Sequence, residues 1–117
     1  MSASSAFAGA HVGVFVFSAE PGPDGATVYS RMFAPEAGVV EDPATGGASG
    51  PLGGYLVRHG VVPLAGAGTI VSAQGVKMGR PSRLLAQMED GRARVGGDVV
   101  LLVTGTLRLP AGAPPVR

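Results

Sequence analysis

Cysteine is absent from the chain, which excludes a disulfide framework and any thiolate nucleophile or thiolate metal site. Tryptophan is absent too, and only four Phe and two Tyr are present, so a core has to be filled mainly by Val, Leu and Ala, a composition that favours sheet. Charge is sparse: 15% of residues are charged and the net charge is +1. Clustered Lys and Arg of the kind that grip nucleic acid or an anionic membrane are therefore missing, and neither partner is expected. No apolar run is long enough to span a bilayer. The N-terminal MSASSAFAGAHVGVFVF has no basic residue ahead of its apolar part, so we read it as a tail over 1–10 and a strand, with a cytoplasmic address. The length of 117 residues suits one domain with one core.

What the chain does have is concentrated between positions 41 and 60, EDPATGGASGPLGGYLVRHG. Asp42 precedes Pro43, whose ring disfavours helical geometry for the residue before it, so the carboxylate leaves the end of an extended segment. Thr45, Gly46, Gly47, Ala48 and Ser49 supply the residue types from which helix starts are made. Unpaired amides at such a start, together with the helix dipole, form a seat for an anion. The plain alternative is that DPATGG is a turn and a cap and nothing more. Pro51 would cost about 3 kcal/mol inside a helix opened at Gly46. The pattern therefore predicts a cap at Ser49, a helix over 49–59, and an open loop over 46–48 whose amides face a ligand. Leu52, Tyr55, Leu56 and Val57 leave that helix little polar face, so it is expected to be buried, ending near Gly60.

Around this stretch the chain reads as sheet. Residues 11–18 form a strand, 20–25 (EPGPDG) a turn, and 26–33 a second strand antiparallel to the first. Residues 34–40 connect to the acid. A loop follows over 61–68, a strand over 69–74, and a glycine-punctuated corner over 75–82. Segments 83–88 and 92–95 flank Glu89, Asp90 and Gly91, a hairpin signal, and 98–109 is expected to be a long apolar strand before a tail at 110–117.

The segment MFAPEAGVVEDPATGGASGPLGGYL, residues 32–56, resembles the signature FxPxxGxxEDPATGSAxGxLxxYL in the second half of the PhzF-like phenazine biosynthesis family, relatives of diaminopimelate epimerase and proline racemase. Downstream, QGVKMGRPSRL, residues 74–84, resembles that family's QG-x-x-MGRPS segment in the same order and spacing. The resemblance runs over about 11–109 but corresponds to one half of a member, because family proteins carry two similar domains with the active site between them. It implies an α+β half-domain of diaminopimelate epimerase type: a curled, mostly antiparallel sheet wrapped around one central helix. It implies a cofactor-independent and metal-free isomerase that moves a proton, or carries out a related cyclisation, on a small carboxylate-bearing metabolite of biosynthetic metabolism.

On that resemblance Asp42 is the catalytic candidate, and Thr45, Gly46, Gly47, Ala48 and Ser49 are the seat of the substrate carboxylate, with Gly47 where the family usually has Ser. Glu41 and Arg80 are accessory candidates. Glu41 is a neighbour that either is solvated or tunes Asp42, since adjacent carboxylates of an extended segment point opposite ways. Arg80 and Arg83 either bind an anion or brace the corner, and His59 sits at the helix end in a dipole-stabilised or solvated role. The family's first-half glutamate and glycine-histidine motif have no counterpart here, so Asp42 alone is an incomplete acid/base pair. A second copy in a homodimer, or a separately encoded first half in a heterodimer, would complete it. A noncatalytic small-molecule-binding or partner subunit that has lost the other catalytic half is the alternative.

Overall fold

The computed structural model describes residues 13–20, 24–62, 68–108 and 110. Among these residues it is an α+β unit with one six-stranded mixed sheet and one α-helix. The strands are β1 (Val14–Ser18), β2 (Val28–Ala34), β3 (Val39–Asp42), β4 (Gly68–Gln74), β5 (Ser82–Glu89) and β6 (Arg92–Gly96), and the helix is α1 (Gly46–Arg58). The sheet runs β1-β2-β4-β5-β6, with β3 also paired to β2. Every pairing is antiparallel except β2 with β4, a parallel pair whose crossover contains β3 and α1.

Local chemistry explains most of these elements. Pairing of Phe17 with Ser30 and Val14 with Phe33 makes the first hairpin as expected. Its turn is closed by Asp24, whose carboxylate accepts the Ala26 N–H at 3.1 Å, and Gly25 takes φ 76°. The second hairpin pairs Glu89 with Arg92, so Asp90 and Gly91 form a two-residue turn at φ 49° and 73°, which Asp-Gly tolerates. Residues 34–40 are more than a connector: Pro35–Ala37 form a short 3-10 turn, and Val39 onward joins the sheet as β3. Of the expected 11–18 strand, positions 11 and 12 lie outside the described residues, as do 1–10, 21–23 of the expected 20–25 turn, 63–67 of the expected loop, 109, and 111–117 of the expected tail.

Along α1 the buried positions are Ser49, Leu52, Gly53 and Leu56, one stripe at i, i+3, i+4, i+7. That stripe packs on Val28, Ile70, Ala86 and Met88 from β2, β4 and β5, with Phe15, Ala19 and Val57 at its margin. Burying a Leu or Ile side chain fully is worth roughly 1.5–3 kcal/mol, and Leu56 and Ile70 are among the largest fully buried side chains. Gly53 lets the helix approach closely, because a Cβ there would meet Met88 Sδ at 2.8 Å.

Three expectations need correction. First, the helix is not enclosed: Gly47, Pro51, Tyr55 and Arg58 form an exposed outer row, with Tyr55 48% exposed. Absence of charge therefore did not mean burial, because α1 lies on one face of the sheet and only one stripe meets it. Secondly, the helix begins at Gly46 rather than Ser49, with Pro51 inside it. The missing N–H of Pro51 leaves free only the carbonyl of Gly47, an exposed residue, so water can take that bond. Thirdly, 98–108 forms no strand. Val99, Val100, Leu101, Leu102, Val103 and Leu107 are 80–93% exposed, and among the described residues no strand pairs with this segment.

Candidate active site

The pairing pattern brings two strand ends together. Strand β4 runs parallel to β2 along residues 28–30 and stops with Gln74 opposite Ser30. Strand β3 comes from the other direction, antiparallel along the same edge of β2, and stops with Asp42 opposite Met32. The two strands thus point at each other, and Gln74 Nε2 spans the gap to donate to the Asp42 carbonyl at 2.7 Å. Between Met32 and Ala34 the register of β3 contains an extra residue, a bulge. Residues paired across a ladder share a face, so Asp42 points with Met32 and Ser30 to the helix side, while Glu41 points with Arg31 to the other.

On the helix side, the Thr45 hydroxyl donates to Asp42 Oδ2 at 2.6 Å. Gln74 surrounds Thr45: its Oε1 accepts the Thr45 N–H at 3.1 Å, and its Nε2 donates to Thr45 Oγ1 at 2.8 Å. The Thr45 carbonyl in turn receives the N–H groups of Ala48 and Ser49, each at 3.2 Å, and the Ser49 hydroxyl at 3.0 Å. This is why the helix starts three residues early. Gln74, 29 residues away in sequence, satisfies the Thr45 amide. Ser49 is buried and bonds backward to Thr45 instead of capping.

Residues 46–48 are helical rather than the open loop expected there, and fewer amides stay without a partner. Thr45, Ala48 and Ser49 spend their amides inside the protein, and the N–H groups of Gly46 and Gly47 remain without a partner among the described residues. Beside them a cleft of about 640 Å³ is lined by Ala44 and Gly46, by Pro81 and the first residues of β5, Ser82 to Leu84, and by residues 95–99. Asp42 does not line this cleft. Its Oδ1 has no hydrogen-bond partner among the described residues, and no unpartnered side-chain N or O is buried there, so Oδ1 meets solvent.

The two accessory candidates separate. Glu41 is held by Arg31 in a two-pronged ion pair, Nε to Oε1 and Nη2 to Oε2, both at 2.9 Å. The hydrogen bond from Arg31 keeps its carboxyl below the usual value of 4.5. Asp24 is likewise held below 3.8, chiefly by the Ala26 N–H. Both folded values are depressed, so the stability they contribute is present above the unfolded values and lost as pH falls through the folded ones. Thermal unfolding measured against pH is expected to show Tm declining from about pH 4.5 downward, and Arg31→Ala should flatten the Glu41 part of that decline.

Arg80 is exposed. Its backbone bonds to Gly75, and Gly75 touches Pro43 closely enough that a Cβ would come within 3.0 Å of the Pro43 carbonyl, which places the corner directly behind Asp42. Arg83 braces the first turn by donating to the Asp24 carbonyl at 2.9 Å. His59 stacks on Tyr55, ring centres 4.4 Å apart.

Gln74 is the site residue that sequence reading passed over. Its signal was there: in GTIVSAQ the even positions Ile70 and Ser72 face the core, and the same alternation carries a primary amide inward at 74, where it demands partners.

The chain is 52% identical over 66 residues to the trans-2,3-dihydro-3-hydroxyanthranilate isomerase of Pseudomonas aeruginosa, covering 56% of this chain and 23% of that protein. It is 46% identical over 86 residues to the enzyme of the same name from Pseudomonas fluorescens, covering 68% and 30%. With the uncharacterized isomerase YddE of Escherichia coli K12 it shares 38% identity over 96 residues, covering 82% and 26%. The chain thus spans less than a third of the length of these curated relatives. The match to the family as a whole extends over residues 4–105, far more than half the sequence, and the chain belongs to the phenazine biosynthesis-like protein family.

Proposed function

We propose that the chain is a cofactor-independent cytoplasmic isomerase that moves a proton on a small carboxylate-bearing metabolite, its site completed by a second chain. In this reading residues 11–109 form one half of the family's two-half architecture. The observation that carries it is the Asp42 carboxyl: Oδ2 is anchored by the Thr45 hydroxyl at 2.6 Å while Oδ1 is left to solvent, the arrangement a positioned acid/base group needs. The free Gly46 and Gly47 amides at the positive end of α1 suit a substrate carboxylate. Names of the relatives, isomerases without exception among those compared above, support the reaction class. No helix among the described residues is long and apolar enough to cross a membrane.

The second chain is a homodimer partner or a separately encoded first half. Support comes from the exposed run Val99, Val100, Leu101, Leu102 and Val103, a patch of the kind that marks an interface. Val99 also lines the cleft beside Gly46, so a partner covering the run would wall that cleft. Light scattering at micromolar concentration is expected to give the mass of a dimer, and Leu101→Asp with Leu102→Asp to weaken it. A monomer for the unaltered chain would favour the separately encoded partner.

Gly47 in place of the family's usual Ser, and Pro51 inside α1, favour a second reading, a noncatalytic binder or partner subunit. The two are separated by assaying the dialysed protein with the compound after which the Pseudomonas relatives are named. Isomerisation without added cofactor supports the enzyme, and saturable binding without turnover the binder.

A further inference from the structure

The primary amide of Gln74 has no freedom of orientation. It is fully buried. Its Oε1 faces the Thr45 N–H, which only donates, and its Nε2 faces the Asp42 carbonyl, which only accepts. Either contact alone would fix which end is oxygen, and the two agree. One Nε2 hydrogen serves the Asp42 carbonyl, and the other lies on Thr45 Oγ1 at 2.8 Å. A hydroxyl has one hydrogen. That hydrogen cannot point back at Nε2, which has no acceptor capacity, and it finds Asp42 Oδ2 at 2.6 Å.

We propose that Gln74 is a positioning residue that sets a one-way hydrogen-bond chain, Gln74 to Thr45 to Asp42 Oδ2, and thereby makes Oδ1 the oxygen that exchanges the proton. This rests on the reading of Asp42 as the proton-handling group. Occupation of Oδ2 by the hydroxyl holds the carboxyl plane, as charge-assisted O–H to carboxylate bonds are short and strong. A proton taken at Oδ1 leaves a neutral carboxyl and an electron pair on the substrate. Its return from Oδ1 to the isomerised substrate restores the carboxylate, so no other reactant is consumed. The same amide holds the Asp42 carbonyl and the Thr45 N–H, so one side chain fixes the acid and the first residue of the anion seat against each other.

The test uses the full chain with 13C-labelled aspartate and reads the Asp42 carboxyl resonance at pH 7, assigned by its loss in Asp42→Asn. Gln74→Glu keeps the shape but offers Thr45 an acceptor, so the hydroxyl should swing away from Asp42. Gln74→Met removes the donor without adding charge. Each should displace the resonance towards its position in Thr45→Val, whereas Thr45→Ser, which retains a hydroxyl, should leave it at the wild-type position. Repeated in the Thr45→Val background, the displacement by either Gln74 variant should be at least about threefold smaller, since the coupling runs through the hydroxyl. Undiminished displacement there, or a Thr45→Ser resonance matching Thr45→Val, would overturn the proposal. No substrate enters this measurement. Coupling found in a chain without turnover sinks the isomerase reading and keeps the hydrogen-bond chain, and turnover without coupling does the reverse.

Discussion

Asp42→Asn is expected to lose most turnover while folding normally and retaining much of its ligand affinity. Positioned acid/base groups contribute about 10²–10⁴-fold to rate, and the amide that replaces the carboxylate can neither accept nor return a proton. Binding should survive because the Asn carbonyl can still accept the Thr45 hydroxyl that Asp42 Oδ2 accepts at 2.6 Å, leaving the new NH₂ where Oδ1 meets solvent. Replacing one satisfied hydrogen bond by another costs on the order of 1 kcal/mol or less. The control is the adjacent acid. Glu41→Gln loses the charge paired to Arg31 on the opposite side of β3, so its effect should fall on stability and leave turnover near wild type. Steady-state rates of the two variants on one substrate decide the matter. An Asp42→Asn enzyme within a few-fold of wild type would leave Asp42 as part of a binding site only.

The second large effect is expected at the corner behind the acid. Gly75 and Gly79 both have φ near 74°, where an L side chain is strained, and they differ in what a Cβ would meet. At Gly79 there is open space. At Gly75 the Cβ would collide with the Arg80 carbonyl and crowd the Pro43 backbone at 3.0–3.1 Å. Gly79→Ala should therefore cost only the conformational penalty, about 1–2 kcal/mol. Gly75→Ala adds the forced movement of two backbone segments, for a total of about 2–5 kcal/mol. At roughly 4–8 °C per kcal/mol for a domain of this size, scanning calorimetry should separate the two by several degrees or more. Gly75→Ala should also impair the site, since Pro43 links Asp42 to Thr45. Equal Tm values would show that the corner yields without strain.

Much of this was readable from local chemistry. Pro43 forces extended geometry on the residue before it, and Asp42 does end a strand. Asp90-Gly91 makes a two-residue turn through its own backbone tolerance, wherever the hairpin packs. The family signature at 32–56 and 74–84 needed only side-chain identities, and the family match bears it out. Each of these depends on residues a few positions apart, the range over which sequence patterns act.

The sequence by itself determined the two hairpins, the acid at a strand end and the family. Tertiary structure alone decided where the helix begins, which amides stay free, and which apolar segments find cover. Local rules put the cap at Ser49 because Pro51 penalises an earlier start, yet Gln74, brought to Thr45 by the parallel pairing of β2 and β4, makes Gly46 the first helical residue. Apolar runs at 52–57 and 99–103 look equally in need of burial on paper. Only the helix stripe meets a sheet face, because hydrophobicity fixes the wish for a partner and the packing of distant strands supplies it or leaves it open.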